Sequence, residues 1–355
     1  MFSFFQDLKI VELASVLAGP SVGMFFAELG CEVKKVEHPS GDMTRKWKLP
    51  KEDKEANISG YYCSVNWGKE VHFLNLKDPD DNKKVRQWIA ESDVLISNFK
   101  YGDAEKFNLS YESLKEENPK LIYAHLSGYG SDVPRAAFDV VIQAEAGFMH
   151  MNGQSEGPAT KMPVALMDVL AAHQIKEGIL CALLEREKTG KGGLIEASLI
   201  NSGIASLANQ ATNYLMGNSI PSRKGSIHPN IAPYGEYFKC KDGKHMVLAV
   251  GTDKQFKLLC DILGLIELTK ESKFATNQSR VSNRNDLDIA LSPAFLTKTS
   301  AEWNALFVEA NVPAGIIKSM DEVFINQSAQ DLILEEQVDG INTKRVKSVV
   351  FEYSR

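Results

Sequence analysis

The first forty residues alternate between two structural grammars, and this restricts the architecture more than any other feature. Leu8-Lys9-Ile10-Val11-Glu12-Leu13 is a short strand run. Ala18-Gly19-Pro20-Ser21 follows as a turn and helix start, because proline suits a first helical turn, where its missing N–H costs nothing. Val22–Leu29 is small and apolar, Gly30 ends it, and Glu32-Val33-Lys34-Lys35-Val36-Glu37 reads as the next strand. Strand, helix, strand in about thirty residues is a right-handed βαβ unit with a parallel sheet.

The pattern recurs downstream. Val71–Leu76 reads as a strand and Asp80–Glu91 as a helix. Val94–Ser97 and Leu121–Leu126 read as strands. Residues 163–188 read as one long helix, Leu194–Leu199 as a returning strand and Asn201–Tyr214 as a helix. Met216–Asn230 is rich in Gly, Ser, Pro and Asn, which suits a linker and an active-site loop. Two strand runs then flank Lys241-Asp242-Gly243-Lys244, a hairpin signal. Helices are expected around 253–264 and 300–311, and 316–355 reads as less regular. The expected fold is α/β: a Rossmann-like large domain over 1–200, a linker over 201–227 and a small α+β domain over 228–315. Residues 316–355 would return to the large domain.

Composition narrows the function classes. The chain has 355 residues, 44% of them hydrophobic and 24% charged, which excludes disorder, collagen and a coiled-coil rod. A net charge of −6 gives no broad attraction to nucleic acid. No run of 18 apolar residues would span a membrane. The opening Met1–Leu13 lacks a basic stretch and a cleavage site, so no signal peptide is expected. Five scattered cysteines form no disulfide framework and no CxxC metal site. A reducing cytoplasm fits best.

The first turn is no dinucleotide fingerprint. Its Ala18-Gly19-Pro20-Ser21-Val22-Gly23 departs from G-x-G-x-x-G, and proline offers no N–H to a pyrophosphate. A second stretch, Met162-Pro163-Val164-Ala165-Leu166-Met167-Asp168-Val169-Leu170, places one carboxylate among apolar residues. Asp168 reads plainly as a helix N-cap, yet a buried charge without a partner needs a reason.

Ordered segments along nearly the whole chain decide between these readings. Ile10-Val11-Glu12-Leu13 with Ala18-Gly19-Pro20, Val36–Asp42, Leu74-Asn75-Leu76-Lys77-Asp78-Pro79 and Asp93–Phe99 come first. Asn118–Tyr123, Leu126–Gly130, Lys188–Gly192 and His228–Tyr234 follow. Together they resemble the class III CoA-transferases, the formyl-CoA and carnitine-CoA transferase type, which includes α-methylacyl-CoA racemases.

The resemblance implies a Rossmann-like subunit paired in an interlocked homodimer. It implies coenzyme A or acyl-CoA as substrate, with no permanently bound cofactor and no metal. Asp168 takes the nucleophile's position, forming an aspartyl anhydride and then an aspartyl-CoA thioester. Positions matching CoA contacts are Ser15, Leu17, Ala18, His38, Leu74, Lys77 and Lys106, with Arg135 one residue from another basic position. Gly225 and Gly235 are candidates for a loop that donates N–H groups to tetrahedral intermediates. Succinyl-CoA is the donor suggested by the family's breadth.

Departures from the pattern matter too. Ser15 and Leu17 replace the His and Gln of formyl-CoA transferase, which argues against formyl-CoA and oxalate. Phe138 stands where the racemases carry an acid/base histidine, and phenylalanine cannot move a proton. Asp139 beside it reads as a helix cap or hydrogen-bond anchor. The chain closes soon after Val346–Val350, where the family carries a longer tail, so its last contacts are expected to differ. An acyl-CoA racemase and a non-catalytic CoA-binding homologue remain the alternatives.

Overall fold

A computed structural model describes residues 3–354. Met1 and Phe2, the start of the stretch read for a targeting signal, lie outside the described residues, as does Arg355. The chain divides into two compact units. The first holds Met1–Met149, Lys161–Pro221 and Gln330–Arg355, and the second holds His150–Thr160 and Ser222–Ala329.

The first unit is built on six parallel strands: β1 (Lys9–Glu12), β2 (Glu32–Glu37), β3 (Glu70–Phe73), β4 (Val94–Ser97), β5 (Ile122–Ser127) and β6 (Gly193–Ser198). Their spatial order is β3-β2-β1-β4-β5-β6, a doubly wound sheet. The order reverses between β1 and β4. That switch point leaves a crevice at the carboxyl ends of the strands, where such sheets bind ligands.

Helix α1 (Ala18–Glu28) links β1 to β2, and α2 (Pro79–Ala90) links β3 to β4. Asp78 caps α2 by accepting the N–H groups of Asp80 and Asp81, as a carboxylate at that position should. Helix α3 (Asp139–Glu145) precedes the 24-residue α4 (Leu166–Thr189), which Gly190 stops at φ +70°. Met167, Ala171, Ile175, Ile179 and Leu183 recur every four residues along α4 and are buried. They share a core with Val22, Phe26, Ile96 and Ala124. Each large side chain buried this way stabilises the fold by about 1.5–3 kcal/mol.

The structure corrects several expectations. The single helix at 201–214 is two, α5 (Leu199–Ala205) and α6 (Ala208–Gly217), because Ala208 turns left-handed at φ +48°. Most of the expected linker is therefore helical. The second unit carries the expected hairpin, β7 (Tyr234–Lys239) and β8 (His245–Ala249), extended by a short third strand, β9 (Ala314–Ile316). Helices Arg284–Phe295 and Ser300–Glu309 pack on it around Phe238, Phe295, Trp303 and Phe307. The tail is more regular than expected. It forms a hairpin of β10 (Ile333–Val338) and β11 (Ile341–Val346) in the first unit, and Ser348 and Val349 donate to Glu28.

Candidate active site

The turn after β1 sits at the switch point, and four side chains fasten its backbone. Asn98, one residue past β4, accepts the Ser15 N–H (3.0 Å) and donates to the Ser15 carbonyl (2.9 Å). Asp42 Oδ2 accepts the Val16 N–H at 3.1 Å. Lys35 Nζ donates to the Ala14 carbonyl (2.8 Å), and Lys69 Nζ to the Pro20 carbonyl (2.8 Å). Val16 is held at φ +73°, a left-handed conformation that costs an L-residue roughly 1–2 kcal/mol. Leu17 precedes α1 and offers no capping side chain.

Beneath the turn lies a buried network of three acids and three bases. Glu12 pairs with Lys35 (2.8 Å) and Lys69 (2.7 Å), and all three side chains are sealed from solvent. Lys35 also lies 3.7 Å from Asp42. Glu37 takes a two-pronged contact from Arg45, with Nε at 2.7 Å and the second nitrogen at 3.1 Å, and accepts the Tyr62 hydroxyl at 2.7 Å. Glu37 and Asp42 stay below the ordinary carboxylate range despite burial, because these cations and hydrogen bonds favour the anion. Gly23 is required here, since a Cβ would meet Glu12 Oε2 at 1.8 Å.

Asp168 occupies the third position of α4, with Ala165 as the cap residue. The plain N-cap reading is thereby excluded. Among the described residues no donor or cation pairs with its half-buried carboxylate. Burial, and then the charge of Asp139, push its pKa up to about 7. Asp139 itself is the anchor of the helix start. Its Oδ1 accepts the Met167 N–H (2.7 Å), and its Oδ2 accepts from Gln143 (2.6 Å). Tyr61 faces the same group of acids. Burial, Asp168, Asp139 and Asp42 raise its hydroxyl to about 12, so it stays protonated. Trp47 packs edge-on against it, with ring centroids 4.9 Å apart.

The structure brings some expected CoA residues together and not others. Lys77 and Lys106 line one open cleft of about 920 Å³ beside α2, with Lys83 and Arg86. Lys106 also contacts Asp103 at the surface. Ser15, Leu17 and Ala18 form the turn at the switch point. His38, exposed after β2, shares a hydrogen bond with Ser40 Oγ through Nδ1 (2.8 Å). Leu74 is buried among Val36 and Val85, so only its backbone is on offer. Arg135 does not line the cleft. Its guanidinium is held by Glu145 and lies over the Tyr129 ring at 4.2 Å. Gly225 and Gly235 belong to the second unit. Gly235, at φ +90°, has the Ser226 carbonyl 1.8 Å from where its Cβ would be, so close packing alone requires glycine.

Trp47, Tyr61, Lys35, Lys69 and Asn98 escaped the sequence reading. The aromatic density of Trp47, Tyr61 and Tyr62 in an otherwise polar stretch was the available signal for the first two. The lysines gave none, since a lysine in sequence reads as surface.

A doubly wound sheet with a clamped turn at its switch point, and an unpaired acid that acts on the same Tyr61 hydroxyl as the turn's Asp42, are the features of an α/β ligand-binding protein. Residues 5–354 match CoA-transferase family III. The chain belongs to that family and is an acyl-CoA:carboxylate CoA-transferase. It is 36% identical over 356 residues to the succinyl-CoA:glutarate CoA-transferase of Homo sapiens, covering 99% of this chain and 80% of the relative. It is 38% identical over 338 residues to the succinate–glutarate CoA-transferase of Agrobacterium fabrum, covering 92% and 82%. A CAIB/BAIF family protein from Brucella suis superposes with TM-score 0.86 at 36% identity, covering 99% of this chain and 92% of that one. Among the described residues no helix is long and apolar enough to cross a membrane, and no acid, histidine or cysteine cluster would hold a metal.

Proposed function

We propose that the chain moves CoA from succinyl-CoA to a dicarboxylic acid of glutarate size, with Asp168 as the nucleophile. The observation that carries the reading is the unpaired carboxylate of Asp168, destabilised as an anion by burial and by Asp139. Two relatives that match over more than nine-tenths of this chain carry names with that substrate pair.

The steps balance without an external proton. An Asp168 oxygen attacks the thioester carbon, the C–S bond breaks, and CoA leaves as thiolate from a mixed anhydride. The thiolate attacks Cγ of Asp168 and expels succinate, leaving an aspartyl-CoA thioester. The acceptor carboxylate attacks that Cγ and releases the thiolate, which then takes the acceptor's acyl carbon and frees Asp168. Each transfer divides one slow exchange between two anhydride steps. Tyr61 presents a neutral hydroxyl to the same acids. The CoA thioester would cross the turn at Ser15–Ala18, and its phosphates would lie by Lys77 and Lys106.

The reading includes a homodimer in which a second copy covers α6. No residue of that helix is buried, and Tyr214, Leu215 and Met216 are exposed on it. Large apolar side chains left exposed all round a helix suit a partner that covers it. A reducing compartment such as the cytoplasm suits its five free cysteines. Light scattering on the eluting protein measures the mass, and a monomer refutes the dimer.

Intact-protein mass spectrometry with succinyl-CoA, followed by hydroxylamine trapping, tests the chemistry. An adduct on Asp168 that glutarate discharges as glutaryl-CoA is the expected result. No adduct with succinyl-CoA, or one that survives Asp168→Ala, refutes it. Phe138 speaks against the racemase alternative, and deuterium entering the α-carbon would revive it.

A further inference from the structure

The backbone of the turn after β1 runs through a strained residue that its own sequence cannot stabilise. A β-branched valine at positive φ is a genuine outlier and persists only when its surroundings over-determine it. Here they do: Asp42 accepts the Val16 N–H, Asn98 pairs with the backbone N–H and carbonyl of Ser15, and Lys35 donates to the Ala14 carbonyl. Asp42 is in turn fixed from behind. Its Oδ1 accepts the backbone N–H of Thr44 (2.9 Å) and the Thr44 hydroxyl (2.8 Å), while Lys35 supplies the countercharge. The two ends of the clamp come from opposite sides of the switch point, Asp42 after β2 and Asn98 after β4.

We propose that Asp42 is a positioning residue for CoA: by holding Val16 in the left-handed conformation, with Asn98 bracing Ser15, it presets the turn that receives the thioester. The proposal rests on the CoA-transferase reading of this turn, and on none of the chemistry assigned to Asp168. Preset backbone lowers the ordering cost of binding. An aspartate is needed because both of its oxygens face donors. An asparagine would turn its NH2 toward either Val16 or Thr44, leaving one donor facing another.

Free CoA binding to the full-length chain, measured by isothermal titration, tests this without any turnover. Asp42→Asn raises the Kd for CoA at least five-fold, and Asn98→Ala does the same from the other side. Val16→Gly alone leaves Kd within two-fold, because glycine adopts positive φ without strain. The decisive variant combines Asp42→Asn with Val16→Gly. Its Kd falls below that of Asp42→Asn, because the strain is gone, and stays above the parent's, because an unclamped glycine must still be ordered on binding; a loss of general packing would give no such recovery. An unchanged Kd in Asp42→Asn, or no recovery in the double variant, overturns the proposal. Should Asp42→Asn fail to fold, an unchanged Kd in Asn98→Ala overturns it instead. Because free CoA binding involves no acyl transfer, failure of the Asp168 chemistry leaves these Kd values untouched, whereas failure of the clamp shows in them directly.

Discussion

Asp139 accepts the backbone N–H of the residue immediately before Asp168, so the carboxylate that caps the start of α4 also bears on the acid in its first turn. Burial supplies most of the upward shift on Asp168 and Asp139 the rest. The acid limb of kcat/KM for the acyl-CoA donor should therefore lie near pH 7, with activity rising as Asp168 ionises. Asp139→Asn removes one negative charge and moves that limb to lower pH. A pH–rate profile of both proteins checks this, and an unmoved limb would sink the assignment.

The same shift has a stability signature of fixed sign. Asp168 has a folded pKa of about 7 against 3.8 for an ordinary aspartate. Its contribution to stability is fully present below the lower value and is lost as pH rises through the upper one. At about 1.4 kcal/mol per pKa unit the ceiling is roughly 4 kcal/mol, reduced by the residue's partial exposure. Asp168→Asn should melt higher than the parent at pH 8 and lose that advantage at pH 4.5. Thermal melts at the two pH values decide it.

Removing the nucleophile separates chemistry from binding. Asp168→Ala should lower kcat by at least about 10³-fold, because no neighbouring group can form the anhydride in its place. The aspartyl-CoA adduct should vanish with it. Residual adduct in this variant would move the chemistry to another carboxylate.

Lys77 and Lys106 are exposed cations in one cleft, so each should act on the nucleotide end of the substrate alone. Replacing either with alanine should raise KM for acyl-CoA about five-fold, which corresponds to roughly 1 kcal/mol for a solvent-exposed charge contact. Added salt should shrink the difference. With a pantetheine thioester, which lacks the nucleotide, both variants should match the parent.

Gly23→Ala should be among the most damaging single-methyl changes in the chain. The added carbon falls 1.8 Å from Glu12 Oε2 and displaces the carboxylate shared by Lys35 and Lys69. Overpacking costs about 1–3 kcal/mol before any loss of ion pairing. A melting temperature lower by about 5 °C or more is expected, read by calorimetry.

Much of the sheet was legible because its strands are apolar, short and bounded by turn residues. The strands at 32–37 and 94–97 have the expected ends. The C-terminal hairpin was not legible, since Ile333–Val338 carries polar residues on both faces and buries none of them fully. The break between α5 and α6 falls at Ala208, a residue with no breaker character, and β9 is only three residues long. In the site, Asp168 stood out as a charge in an apolar run. What sequence withheld was depth: Lys35, Lys69 and Arg45 look like ordinary surface cations until the strands bring Glu12, Glu37 and Asp42 against them.

That buried set also limits how this lineage can change. Glu12, Glu37 and Asp42 face Lys35, Lys69 and Arg45, and taking Arg45 from Glu37, or Glu12 from Lys69, leaves a stranded ion at a cost of about 3–5 kcal/mol. Drift at Glu37, Arg45 and Glu12 therefore has to be matched by the counterpart ion, whereas Asp42 can change with Lys35 still paired to Glu12. The surrounding surface can wander freely while this interior stays frozen, and homologues that do differ here should differ in matched pairs.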